Sequence, residues 1–232
     1  MLATHEFLSP EECAHISAIV MGLKEFWVNR TSGLLPFYTL GAASYLDHSP
    51  TNEEAYAQAV QRYNPILESH FPKLYEQLLE RFAEILKIPV VYAEGMALPG
   101  FHIFLSSIAF QYPMGSIHFD LQYQKFKWGY EKVDKEHPIS FTCPIAMPES
   151  GSGLNYWKIS PKEGAHLSAL ELEKLKQKHE QFYFPYKLGT LVLHETQFLH
   201  QIAPSKNLQP DDCRITLQGH GLVCDDIMRL YW

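Results

Sequence analysis

The sequence predicts an α+β fold, in which a helical N-terminal third precedes a β-rich remainder closed as a sandwich or barrel. Three observations predict it. Helix-start signatures and apolar residues at spacings of three and four occupy the chain up to Pro89. Short β-rich runs bounded by Gly, Pro and Asp occupy the rest of the chain. No internal repeat, low-complexity tract or flexible linker divides the 232 residues, so size alone argues for a single domain. The helical part is expected over about 1–88 and the β core over about 89–232.

The first helix is expected over about 9–24. Ser9 caps it, Pro10 takes the first helical position and Glu12 completes a capping box. Ile16, Ile19, Val20 and Leu23 share one face. The Gly-, Ser- and aromatic-rich stretch from Thr31 to Pro50 has no helical period and reads as loops with short strands. Thr51 and Glu54 repeat the capping box, so a second helix should run to about Arg62. A third carries Leu74, Leu78, Leu79, Phe82 and Leu86 and must stop before Pro89. Strands are expected at Val90–Tyr92, Phe101–Ser106, Ile139–Ala146, Gly189–Leu193 and Arg214–Val223. A Lys- and Glu-rich helix near Ser168–Phe182 interrupts them as a surface insertion, about 166–183, and is also a candidate dimer surface.

Composition narrows the function classes. Hydrophobic residues make up 46% and aromatic residues 13%, as in a globular chain. The net charge is −7 and no long run of one sign occurs, which argues against nucleic-acid or membrane-surface partners. Cys13, Cys143, Cys213 and Cys224 are widely spaced without a CxxC pair, so neither a disulfide framework nor a thiolate metal site is expected. The start of the chain lacks a signal-peptide pattern, and the least charged window, Gly95 to Phe110, is too short to span a bilayer. A reducing cytoplasm is the expected address.

The chemistry concentrates in a few residues. In an extended His118-Phe119-Asp120, residues two apart project to one side, so an imidazole and a carboxylate can take adjacent metal positions. One distant histidine would complete the two-histidine, one-carboxylate triad used by non-haem Fe(II) oxygenases. Alone, His-x-Asp fits a solvated surface loop equally well. Its context is an apolar strand from Gly189, a short loop, His200 and a second extended segment ending near Pro204. His194, at the end of that strand, is the rival third ligand. Further on, Arg214, Thr216, Gln218 and His220 alternate with apolar or glycine positions, and such a strand needs a polar interior to face.

On these residues the chain resembles the Fe(II)/2-oxoglutarate-dependent dioxygenase superfamily. The matching parts are His118-x-Asp120, the segment from Gly189 to His200 and Pro204, and Arg214-x-Thr216. The opening Glu6 to Cys13 is also similar to the start of prolyl-hydroxylase-like members. The resemblance implies a double-stranded β-helix, or jelly-roll, core under the helical layer. It implies Fe(2+) held by His118, Asp120 and His200, with 2-oxoglutarate and O2 as co-substrates. Arg214 would pair with the distal carboxylate of 2-oxoglutarate, Thr216 would donate a hydroxyl to it, and Tyr112 is a further candidate contact. The expected reaction is hydroxylation of an unactivated C–H bond of a small molecule, amino acid or peptide, with release of succinate and CO2. Asp120 favours hydroxylation over halogenation, since halogenating relatives carry a small residue at that position. The separation of His200 from Arg214 is longer than usual for the family, with Asn207 to Asp212 as the extra turn.

Other residues have both a functional and a structural reading. The aromatic segment from Leu121 to Pro138 is either a lid or a packed loop. Asn155 and Trp157 either line the pocket or form a turn and core, and His102 and His220 read as core histidines. Two other functions stay open: a cupin-like metalloenzyme independent of 2-oxoglutarate, and a non-catalytic jelly-roll sensor or binding module.

Overall fold

A computed structural model describes residues 2–48, 53–113, 115–194 and 198–232. It is a mixed structure of helices and largely antiparallel sheet. The N-terminal part holds β1 (Leu2–Glu6), α1 (Pro10–Gly22), β2 (Val28–Asn29), β3 (Phe37–Leu40), α2 (Ser44–Asp47), α3 (Glu53–His70) and α4 (Pro72–Leu86). Then come β4 (Val90–Tyr92), β5 (Gly100–Leu105), β6 (Ile139–Ala146), β7 (Gly153–Trp157), α5 (Pro161–Gly164) and α6 (Ala169–Lys176). The chain ends with β8 (Phe182–Pro185), β9 (Thr190–His194), β10 (Leu199–Ile202), β11 (Cys213–Cys224) and β12 (Ile227–Tyr231). Among the described residues, no helix is long and apolar enough to cross a membrane.

The expected helix starts hold where they are described. Ser9 accepts from the Glu12 amide and Glu12 accepts from the Ser9 amide, the reciprocal box read from the sequence. Ser168 and Glu171 repeat it at α6. Thr51 lies outside the described residues. Two helix ends differ from expectation. The second predicted helix continues past Arg62 and Pro65 to His70, because Tyr56, Val60, Tyr63 and Leu67 bury one continuous face and tertiary packing outweighs the local cost of the proline. The inserted helix ends early at Lys176, leaving Phe182 to start β8. β1 and β12 are additional to the expected strands. β1 reads Leu-Ala-Thr-His-Glu, a polar segment that becomes a strand by pairing with β9.

One sheet contains nine strands, in the order β1-β9-β6-β11-β5-β3-β2, with β12 and β4 attached beyond β11. A second sheet contains β10-β7-β8. Period-2 alternation divides the large sheet into two faces. On one, Phe101, Ile103, Phe141, Cys143, Leu191, Leu193, Ile215 and Leu217 join Ile16, Val20, Leu74, Leu78 and Phe82 of α1 and α4 in the main core. Their neighbours in sequence, His102, Ser140, Thr142, His194 and Arg214, line a cavity. Gly189 secures the edge: its φ of +72° suits glycine, and a Cβ there would meet the Leu8 carbonyl at 2.1 Å.

Candidate metal and co-substrate site

The cavity measures about 250 Å³ and is lined from both sheets. His118 and Asp120 reach it from an extended stretch before a short 3-10 helix (Gln122–Lys125), and His200 reaches it from β10. An isolated antiparallel bridge joins these segments. The His118 amide donates to the His200 carbonyl at 3.0 Å, and the His200 amide donates back to His118 at 3.0 Å. Directly opposed residues in such a pair hold their Cβ atoms about 4.5–5.5 Å apart. This explains how histidines eighty-two positions apart in sequence bring their rings to a centroid separation of 4.4 Å.

The ring nitrogens are assigned by their partners. His118 Nδ1 lies 3.0 Å from the Ser116 carbonyl and His200 Nδ1 lies 3.0 Å from the Phe198 carbonyl. Both rings therefore donate from Nδ1 and turn Nε2 toward Asp120. Those Nε2 atoms each sit 3.6 Å from an oxygen of Asp120. One ligand atom from each of the three residues lies within 4.8 Å of the other two. The Ser140 hydroxyl donates to Asp120 Oδ2 at 2.6 Å and sets the carboxylate plane.

Electrostatics favour the deprotonated set. Burial alone would push the Asp120 carboxyl up, but His200, His220, His118 and His194 around it hold it well below the usual range. Burial pushes His200 down, against the pull of Asp120. Burial likewise pushes His220 down, and takes His194 and His102 down to about 3. Two imidazole Nε2 atoms and a carboxylate face one another, an arrangement that a divalent cation satisfies. The backbone carbonyls behind both rings are the usual outer partners of metal-ligating histidines.

Arg214, on β11, is the second feature of the cavity. It is 4% exposed, lies over the rings of Tyr186 and Phe104 at 5.4 and 5.8 Å, and burial lowers its pKa. Its Nε is buried without a hydrogen-bond partner among the described residues. The neighbours that act on its charge are the phenols Tyr186 and Tyr183, not a carboxylate. A buried guanidinium left in this state is costly until an anion reaches it, and a carboxylate matches its fork bidentately. Tyr186, buried and hydrogen-bonded to Thr142, stands beside it with its pKa raised by burial. The lining residues therefore fit both a divalent cation and an anionic co-substrate.

The other expected residues are distributed unevenly. His194 lines the cavity 5.4 Å, ring to ring, from His200, but is outside the converging ligand set. Thr216 is fully buried, accepts from Gln218 Nε2 at 3.2 Å and does not line the cavity. Tyr112 stands at the rim, 63% exposed. His102 and His220 both line the cavity, whereas Asn155 and Trp157 do not. Of the segment after Asp120, Gln122 reaches the cavity, while Trp128 and Tyr130 pack against the Tyr231 cluster. Sequence reasoning passed over Ser140, Thr142, Tyr186 and Tyr45. The first two had a signal: they are the polar alternates in the apolar strand Ile139–Ala146.

The fold recurs among solved structures. At a TM-score of 0.54 and 12% identity, the chain is similar to an N-substituted L-amino acid dioxygenase in complex with alpha-KG from Burkholderia ambifaria AMMD, covering 100% of this chain and 86% of that one. At 0.51 and 15% identity it is similar to EctD from S. alaskensis with 2-oxoglutarate and 5-hydroxyectoine, covering 94% and 71%. The chain shares its fold with these two proteins. AviO1 from Streptomyces viridochromogenes Tue57 is also similar, with a TM-score of 0.51, 14% identity and coverage of 97% and 90%. No protein-family model matches the chain, and no curated protein matches it in sequence.

Proposed function

We propose that the protein is a non-haem Fe(II)- and 2-oxoglutarate-dependent dioxygenase that hydroxylates an unactivated C–H bond of a small molecule, amino acid or peptide. One observation carries the reading: His118, Asp120 and His200 converge, with both Nδ1 atoms tied to carbonyls, in the same cavity as a buried Arg214 that has no carboxylate partner among the described residues. His118, Asp120 and His200 would hold the metal, and Arg214 would hold the far carboxylate of 2-oxoglutarate. Tyr186 and Thr142 are better placed than Thr216 or Tyr112 to assist Arg214. Iron with 2-oxoglutarate and O2 supplies an oxidant for C–H bonds, with succinate and CO2 released. The chain's contribution would be to keep Asp120 ionised and His200 neutral, orient Asp120 through Ser140, and shield the reacting atoms from water. The two sheets are read as the faces of a double-stranded β-helix.

Arg214 favours this reading over a cupin-like enzyme independent of 2-oxoglutarate, in which a buried guanidinium would have no evident work. Anaerobic protein with Fe(II) should develop a weak visible charge-transfer band on addition of 2-oxoglutarate, and admitting O2 should release succinate. His118→Ala should abolish both signals. Metal binding that is indifferent to 2-oxoglutarate would transfer the protein to the cupin-like class.

A further inference from the structure

The cavity walls carry few charges. Among the described lining residues the charged ones are Asp120, Asp212 and Arg214, so Arg214 is the only cation apart from histidines. None of the residues outside the described set is a lysine or arginine. On the oxygenase reading, a divalent cation and Arg214 are balanced by Asp120 and a dicarboxylate. No positive charge is left over for a third ligand, and Asp212 would repel an anion. Burying an unpaired charge is strongly unfavourable.

One part of the wall is apolar and aromatic. Phe37 of β3 stacks on Phe104 of β5 at 4.4 Å with an interplanar angle of 9°. Phe110 meets Phe104 edge-on at 5.2 Å. Leu35 and Leu208 complete this wall. Apart from Arg214, which lies over the Phe104 ring at 5.8 Å, the polar groups beside it include the uncharged Thr31 and the Tyr45 hydroxyl, which is hydrogen-bonded to His102. Apolar surface continues outward on the same segments, with Leu34 86% and Ile108 75% exposed. Exposed apolar residues next to a cavity mark a surface that receives an apolar ligand.

We infer that the primary substrate is an uncharged, ring-bearing molecule that lies against Phe37, Phe104 and Phe110, and that free amino acids and other carboxylates are excluded. This rests on the oxygenase reading, because Arg214 is unavailable to substrate only when 2-oxoglutarate occupies it. Aromatic faces offer a ring offset-stacked or edge contacts, and specificity comes from the mismatch that an anion would suffer.

The test uses Mn(II)-loaded protein and paired probes of like shape and different charge. The pairs are 2-naphthol with 2-naphthoate, and N-acetyl-L-phenylalaninamide with N-acetyl-L-phenylalanine, titrated calorimetrically with and without 2-oxoglutarate. With 2-oxoglutarate present, each neutral probe should bind at least about tenfold tighter than its anion, and any binding of the anions in its absence should be competed away by it. Leu35→Lys should reverse the preference by supplying the missing charge. Anions binding as tightly as their neutral partners, or no neutral probe binding at all, would overturn the inference. Protein that takes no 2-oxoglutarate in the first titration sinks the oxygenase reading and the inference with it. Protein that takes it but prefers the anions sinks the inference alone.

Discussion

The large and small sheets do different work. The nine-stranded sheet is packed on one face by α1 and α4, and its central strands β6 and β9 are buried almost end to end. The three-stranded sheet has a minor core around Trp157, Ile159 and Leu199, and β8 alternates half-buried with exposed residues. Yet the site needs both. The large sheet supplies Ser140, Thr142 and Arg214, while the small one supplies His200 and, through a two-hydrogen-bond bridge, holds His118. Stability is concentrated in one sheet, and closure of the ligand set depends on the other.

Four substitutions can break or sharpen that contrast. The largest effect is expected from Phe82→Ala in α4, where the ring is fully buried 4.9 Å from Phe141. Truncation should cost about 3–5 kcal/mol in urea unfolding. His200→Ala on the small sheet should instead leave stability within about 1 kcal/mol while abolishing metal binding by calorimetry. If His200→Ala unfolds the protein, the division of labour is wrong.

Ser140→Ala tests the strand that reaches from the large sheet into the ligand set. Losing the 2.6 Å bond to Asp120 should weaken metal affinity by about 10–100-fold, with little change in unfolding. Unchanged affinity would mean that the small-sheet side orients Asp120 unaided.

The smallest effect concerns protons. His102, on β5, is held neutral to about pH 3 by burial, with Arg214 and Arg30 contributing. Its unfolded value is the ordinary one, so as pH falls through about 6.5 the unfolded chain gains a proton that the folded chain refuses. The stability is complete above that value and is lost progressively toward the folded value. At about pH 5.5 this single group should cost on the order of 1 kcal/mol. His102→Gln in metal-free protein should flatten the acid limb by that amount. His194, equally depressed, keeps a residual slope in the same window.

Much of the fold was legible. Capping boxes placed α1 and α6 because the reciprocal bonds are local, and the run Ile139–Ala146 was read to the residue. Where partners are remote, reading failed. β1 has no apolar pattern and exists because β9 offers an edge. α3 runs through Pro65 because its buried face outweighs the local signal. In the site, His118-x-Asp120 was ambiguous alone and stood out only with the segment from Gly189 to Pro204 and the polar stripe that holds Arg214.

Sequence by itself determined the chemical inventory: a polar stripe along β11, alternating polar residues in β6, and an imidazole beside a carboxylate. All of these come from residue type and backbone period, which act over a few positions. Tertiary structure decided between His200 and His194 as the group that meets His118 and Asp120, because a cross-strand bridge sets which ring stands opposite. It also covered Thr216 with Gln218 and brought Tyr186 to Arg214. Those outcomes depend on register between strands far apart in the chain, and no local property of either strand encodes it.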